Sequence, residues 1–275
     1  MAQDIAVKAE KHLPKGVFLA YKKDKTPYYR SSFTYKNKHI SLGSFDTAKE
    51  ANLAYREALR LVKDNKYSLT SYNSKRHLSF GKWVSIINFR DNGYYFKTPI
   101  YMKQRYFIYY LDQSTELKFD VDDLFFYSTH TIMKRDGHLF VSDYGMQLNI
   151  KNRYGIKNFA VAGKDYIFVN GDDTDFRYGN IKIINRYNGV SKEEKKGRIS
   201  YVCKIHINGD YIIGRYSSEI DAAIAYNKAI DILKNKGINI NYTINYIEDI
   251  SSKEYAERYA VIKISKKLKN IKYEV

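Results

Sequence analysis

Cysteine is almost missing from this chain. Among 275 residues there is one, Cys203, so no disulfide can close within the chain and no cysteine-based zinc site can assemble. That usage points to a reducing, intracellular setting. No apolar run approaches the roughly 20 residues of a membrane span. The start, "MAQDIAVKAEKHLPKG", lacks the apolar core of a signal peptide. A soluble, cytoplasmic protein with no membrane partner is therefore expected. The sequence also lacks a Gly-rich phosphate loop, a Ser/His/Asp arrangement and a nucleophilic setting for its cysteine. No catalytic residue, metal ligand or cofactor is expected.

Acidic residues are in deficit. Lys and Arg number 47 against 30 Asp and Glu, a formal net charge of +17. Such a balance attracts phosphate backbones, with an affinity that falls as salt rises. A basic membrane-surface binder is the alternative, but the charge is spread along the chain and no lone basic amphipathic helix stands out. The apolar fraction, 44%, suffices for real cores. Tyrosine (28) and phenylalanine (14) are abundant and suit strands and half-buried surfaces. The length suggests one to three domains.

The chain contains a repeat. "LGSFDTAKEANLAYREALRLV" (42–62) recurs as "IGRYSSEIDAAIAYNKAIDIL" (213–233) without a gap. Gly43 maps to Gly214, Phe45 to Tyr216, Ala51 to Ala222, Tyr55 to Tyr226 and Val62 to Leu233. Upstream of the first copy, "GVFLAY", "YYRSSFTY" and "HISLG" are predicted as three short strands. Thr47 and Glu50 give a T-x-x-E capping signal. The helix after it carries Ala51, Ala54, Tyr55, Ala58 and Val62 on one face. In the second copy "YVCKIHI" and "DYIIG" form a hairpin around Asn208-Gly209. A helix then starts at Ser218 and stops near Gly237.

Three strands, an "LG-[ST]-F" turn and a helix with "A-x-x-AY" resemble the apetala-two/ethylene-response-factor DNA-binding domain. "KGV" (15–17) and "YNGV" (187–190) are similar to its opening. The resemblance implies that a three-stranded sheet enters the major groove while the helix braces it from behind. Alternation along the strands then sorts the side chains. Tyr29, Ser31, Phe33, Ile40 and Leu42 face the helix. Arg30, Ser32, Thr34, His39 and Ser41 face out, flanked by Lys15 and Lys38. In the second copy Tyr201, Cys203 and Ile205 face in; Arg198, Lys204 and His206 face out, with Arg215 at the turn. The outward sets are short, polar and basic, as base-edge and phosphate contacts require. Arg30 is the leading candidate for a base contact. Ordinary solvated strand faces are the competing reading. Phe18 and Ser41 stand where the family commonly has long polar or Trp side chains, so no sequence preference carries over.

Between the copies, "KWVSIINF", "GYYFKTPIYM", "RYFIYYLD" and "ELKFDV" read as strands, "DGHLFVSDYG" as a hairpin, and 155–190 as irregular. "YIFVNGDDTDFRYGNIKIINRYNGV" (166–190) resembles the core of HNH homing endonucleases, through Asn170, Gly171, Asp172, Thr174, Asp175, Arg177, Asn180 and Ile181. HNH chemistry needs a His base and an Asp that holds a divalent metal. Ile167 and Phe168 occupy those two positions, and neither can bind a metal or take a proton. The acidic cluster of Asp172, Asp173 and Asp175 reads as a turn element. His130 and His138 match no metal spacing.

An α+β protein is therefore expected: two sheet-plus-helix modules (1–70 and 187–275) flanking a β-rich, degenerate HNH core of ββα type (71–186). A polar leader ends near Pro14, and a single basic helix closes the chain. The function implied is sequence-specific duplex DNA binding, as a transcriptional regulator or repressor of phage or mobile-element origin, by a monomer or homodimer. The DNA-binding residues expected are Lys15, Arg30, Ser32, Thr34, Lys38, His39, Ser41, Arg177, Arg198, Lys204, His206 and Arg215. An active metal-dependent endonuclease and an RNA- or protein-binding factor are the alternatives.

Overall fold

The computed structural model describes residues 13–238 and 240–271; most of the polar leader lies outside them. The chain is a mixture of helices and small antiparallel sheets. It divides into two compact units. The first runs to Ile150 and adds Asp172–Tyr178; the second comprises Lys151–Gly171 and the chain from Gly179.

The first unit begins with strands β1 (Val17–Tyr21), β2 (Pro27–Tyr35) and β3 (Lys38–Phe45), paired in that order. Helix α1 (Ala48–Lys63) follows, its first turn capped by Thr47 Oγ1, which accepts the Glu50 N–H at 3.2 Å. Ala54, Ala58 and Leu61 are buried against the sheet residues Phe33, Ile40 and Leu42, and Ala51 is buried on the same helix. Tyr55 and Val62, expected on that face, are half-buried at its margin.

"KWVSIINF", read as a strand, lies instead within helix α2 (Phe80–Asn92). Ser79 caps its start and Gly93, at φ 80°, ends it. An apolar run without alternation does not separate a buried helix from a buried strand. Trp83, Ile86, Ile87 and Phe89 join the cluster beneath α1, so the compact units cut across the segment 71–186. Glu57, buried on α1, accepts the His77 and Leu78 N–H groups at 3.0 and 2.9 Å and fixes the approach to α2.

A second sheet pairs β4 (Ile100–Met102), β5 (Tyr106–Tyr110) and β6 (Glu116–Asp120). Only the end of "GYYFKTPIYM" is extended. After a short helix α3 (Leu124–Thr129) comes a third sheet of β7 (Met133–Arg135), β8 (His138–Asp143) and β9 (Met146–Asn149). "DGHLFVSDYG" is thus one strand between two turns rather than a hairpin. Residues 172–178 pack on β6. Phe176 stacks on Phe119 at 5.6 Å, and the Phe176 N–H donates to the Lys118 carbonyl at 2.8 Å.

In the second unit β10 (Tyr166–Phe168) pairs with β11 (Ile181–Ile183). Among the described residues no α-helix lies between β11 and the next strand, so the helix expected after this strand pair does not follow it. The last sheet is β12 (Val190–Lys195), β13 (Arg198–His206) and β14 (Asp210–Tyr216). Helix α4 (Glu219–Asn235) packs behind it through Ala222, Ala225, Tyr226, Ala229 and Leu233. Gly237, at φ 79°, follows its end. The tail is broken into α5 (Ser252–Val261) and α6 (Lys266–Lys269) instead of one helix. The break is used: Lys228 Nζ donates to the carbonyls of Tyr259 and Ile262 at 2.6 and 3.1 Å, and the Ser265 N–H reaches the Ile213 carbonyl at 2.9 Å.

The two sheet-plus-helix copies agree in detail. Ser31 pairs with Val17 and Gly43, and Cys203 pairs with Val190 and Gly214. A β-bulge follows at the same place in both, between Ser31 and Ser32 and between Cys203 and Lys204.

Candidate nucleic-acid interface

Directly opposed residues of an antiparallel pair share a face, so the register defines what each sheet presents away from its helix. Across the first sheet Arg30 stands between Phe18 on β1 and Ser44 on β3. Further along, Ser32 opposes Ser41 and Thr34 opposes His39. Arg30, Thr34, His39, Ser41 and Lys38 are exposed, as is Lys15 just before β1. Ser32 departs from expectation: it is 9% exposed. It is a short side chain on the middle strand beside the bulge, and its N–H is tied to the Gly16 carbonyl at 3.1 Å.

Alternation alone missed Ser44 and undervalued Phe18. The bulge puts Leu42 and Gly43 against one partner position, which turns Ser44 to the outer side. The recurrence of Gly43 as Gly214 was the available signal. Phe18 is 54% exposed across from Arg30. Strands β1–β3 contain no Asp or Glu. Among the described residues Arg30, Lys38 and His39 have no hydrogen-bond or ion-pair partner for their side chains.

The second sheet is built alike and charged differently. Val202 occupies the place of Arg30, between Ser191 and Arg215, and is 1% exposed. Arg215 donates to Glu193 at 2.6 Å, a bond that spans from β14 to β12 over the middle strand. The same bond is the main reason the Glu193 carboxyl is held below its ordinary value. His206 pairs with Asp210 at 2.9 Å, and that contact lowers the Asp210 carboxyl. Arg198 and Lys204 remain exposed without ion-pair partners among the described residues. Arg215 and His206, two of the four side chains expected to meet DNA, are therefore already engaged within the sheet.

Arg177 is committed elsewhere too. Its Nε and a terminal nitrogen donate to the two oxygens of Asp175 at 2.8 and 2.6 Å, and its guanidinium lies 5.1 Å from the Tyr106 ring centroid. Asp175 is fully buried, so this bidentate pair holds the 172–178 loop. Asp172 serves the same loop. It accepts from Lys118 at 2.8 Å and from the Thr174 hydroxyl at 2.6 Å; these bonds, the Lys118 one first, hold its carboxyl at about 2. Asp172 and Asp175 thus both serve the loop 172–178.

Ile167 and Phe168 are apolar strand residues of β10. His130 is tied down: Nδ1 meets the Phe126 carbonyl at 2.9 Å and the ring stacks on Phe126 at 4.2 Å. Among the described residues no three His, Cys, Asp or Glu side chains converge to hold a metal. Cys203 is buried in the second core, which pushes its thiol up and leaves it unfit as a nucleophile. No helix among the described residues is long and apolar enough to cross a membrane. Comparison with protein-family models, curated proteins and solved structures finds no significant match to this chain.

Proposed function

We propose that the protein binds duplex DNA with sequence preference through the outer face of β1–β3, and that it acts as a transcriptional regulator of the repressor type. In this reading both sheet-plus-helix copies are apetala-two-like, and β10–β11 derive from an HNH nuclease that has lost its chemistry, as in a phage or mobile element. The observation that carries the proposal is the acid-free outer face with Arg30 at its centre. A guanidinium with no partner among the described residues can give two parallel donors to a guanine edge. Ser41, Ser44 and Thr34 supply short donors around it, Phe18 can meet a thymine methyl, and Lys15 and Lys38 flank the sheet as phosphate contacts. The net charge of +17 supports non-specific attraction to the same partner. The second sheet adds phosphate contacts through Arg198 and Lys204 rather than a second full reading head.

The test is selection from a random duplex library at near-physiological salt, with and without Mg, followed by sequencing of retained and cut strands. Enrichment of a motif without cleavage is the expected result. Mg-dependent cleavage would overturn the loss of chemistry, and retention without a motif would overturn sequence preference.

A further inference from the structure

The second unit contains a groove of about 900 Å³ that duplex binding by β1–β3 does not use. One wall is the segment 152–159, the other is the non-helical segment 240–243, where the Tyr242 N–H turns back to the Ile240 carbonyl at 2.9 Å, and Tyr226 of α4 contributes to the lining. The second wall is fastened where the Tyr242 hydroxyl donates to the His206 carbonyl at 2.7 Å.

Three observations bear on its occupant. Phe159 lines the groove, is fully exposed, and sits at φ 66°, a left-handed backbone that bulky residues rarely adopt and that concentrates at functional sites. Lys157 lines both this groove and a neighbouring one of about 240 Å³. Its ammonium has no hydrogen-bond partner among the described residues. Asp165 and Glu219 act on it by charge but give it no hydrogen bond; Asp165 accepts from the Val161 N–H and the Asn185 amide, and Glu219 from the Arg186 N–H. The side-chain amides of Asn158 and Asn241, also in the lining, make no hydrogen bond among the described residues. Aromatic rings, open amides and a partly buried cation without a hydrogen-bond partner among the described residues are together the chemistry that receives a flat base and its phosphate. A purely apolar ligand would leave the ammonium and amides unmatched.

We propose that this groove binds a single unpaired nucleotide, with the base against Phe159 and Tyr242 and the phosphate at Lys157. The site goes beyond the duplex-binding face and does not depend on it.

The experiment is fluorescence anisotropy of end-labelled tetrathymidylate with the full chain and three variants, Lys157→Met, Phe159→Ala and Arg30→Ala, alongside duplex binding by each. Lys157→Met and Phe159→Ala should each weaken tetrathymidylate binding about tenfold, the scale of losing one stacked base or its phosphate contact. Arg30→Ala should leave it within about twofold while weakening the duplex. Tetrathymidylate binding that is unchanged in both groove variants overturns the site, whatever happens to the duplex. Loss of duplex selectivity alone bears only on β1–β3. A fold-independent check is an amide-resolved titration of the unaltered protein. Shifts at Lys157, Phe159 and Tyr242 are expected, and shifts confined to residues 17–45 would overturn the proposal. Competition by thymidine monophosphate separates the sources. Equal affinity marks a free nucleotide, a tenfold preference for the tetramer marks a strand, and either supports the site.

Discussion

Gly16 lies against the ring of Tyr55 so closely that a Cβ on the glycine would overlap the ring, and Gly189 stands in the same relation to Tyr226. Both glycines have positive φ, 80° and 71°. Each also offers its carbonyl to the middle strand, to the Ser32 N–H at 3.1 Å and the Lys204 N–H at 2.8 Å. The "GV" before each sheet and the "AY" within each helix are thus two halves of one contact. Replacing Gly16 or Gly189 by Ala adds backbone strain and overpacking together, a cost of about 2–4 kcal/mol. Hydrogen exchange should show the loss in α1 for Gly16→Ala and in α4 for Gly189→Ala.

The bond between Arg215 and Glu193 sets the second prediction. Because that arginine is already engaged, Arg215→Ala should change duplex affinity by less than about twofold, whereas Arg30→Ala should weaken it about tenfold and relax preference at one base pair. Glu193→Gln removes the carboxylate and frees Arg215. Duplex binding should then strengthen at low salt, and the slope of log affinity against log salt should steepen by about one. An unchanged slope in Glu193→Gln would show that the second sheet's outer face stays clear of DNA.

These charges explain what was legible in the sequence. The first three-stranded sheet, the hairpin of the second, both helices and the T-x-x-E cap follow from alternation, 3–4 spacing and turn residues, all of which are local; strand β12, "VSKEEK", carries no such alternation of apolar residues and follows only from the repeat. Whether Arg215 is free depends on Glu193, 22 residues away across a strand, and no local pattern reports that. Ser44 was hidden for a related reason: one extra residue at the bulge reverses the parity of all that follows. The helix Phe80–Asn92 was misread because seven consecutive buried residues, Trp83–Phe89, erase the polar face that marks a helix. The groove at Phe159 joins segments some 80 residues apart, and only folding brings them together.

Ser31 and Cys203 occupy equivalent positions, each opposite the strand-three glycine. Both are buried, at 1% and 0% exposure, and Ser31 Oγ has no partner among the described residues. A buried hydroxyl without a hydrogen bond carries its full desolvation cost, while a thiol is nearly apolar. Ser31→Cys should therefore stabilise the protein by about 1 kcal/mol, and Cys203→Ser should destabilise it by about 1–3 kcal/mol. Urea unfolding of the two variants checks both signs. Cys203 should resist thiol reagents until the protein unfolds, since burial pushes its thiol up.

Lys157 ties stability to binding. Burial is the largest influence on its ammonium and moves its titration below the ordinary lysine value of 10.5, with Asp165 and Glu219 opposing the shift. The folded protein therefore holds this proton less firmly than the unfolded chain. Below its folded value the charged lysine costs stability, and the cost lifts as pH rises from that value towards 10.5. Lys157→Met removes the charge and keeps the apolar stem. The variant should melt higher than the parent at pH 7, and the gap should close as the pH approaches 10. A nucleotide phosphate restores the ammonium's missing partner, so tetrathymidylate should raise the parent's melting temperature and leave the variant's nearly unmoved. A variant that melts lower than the parent at pH 7 would mean that Lys157 is a structural cation already satisfied by the fold.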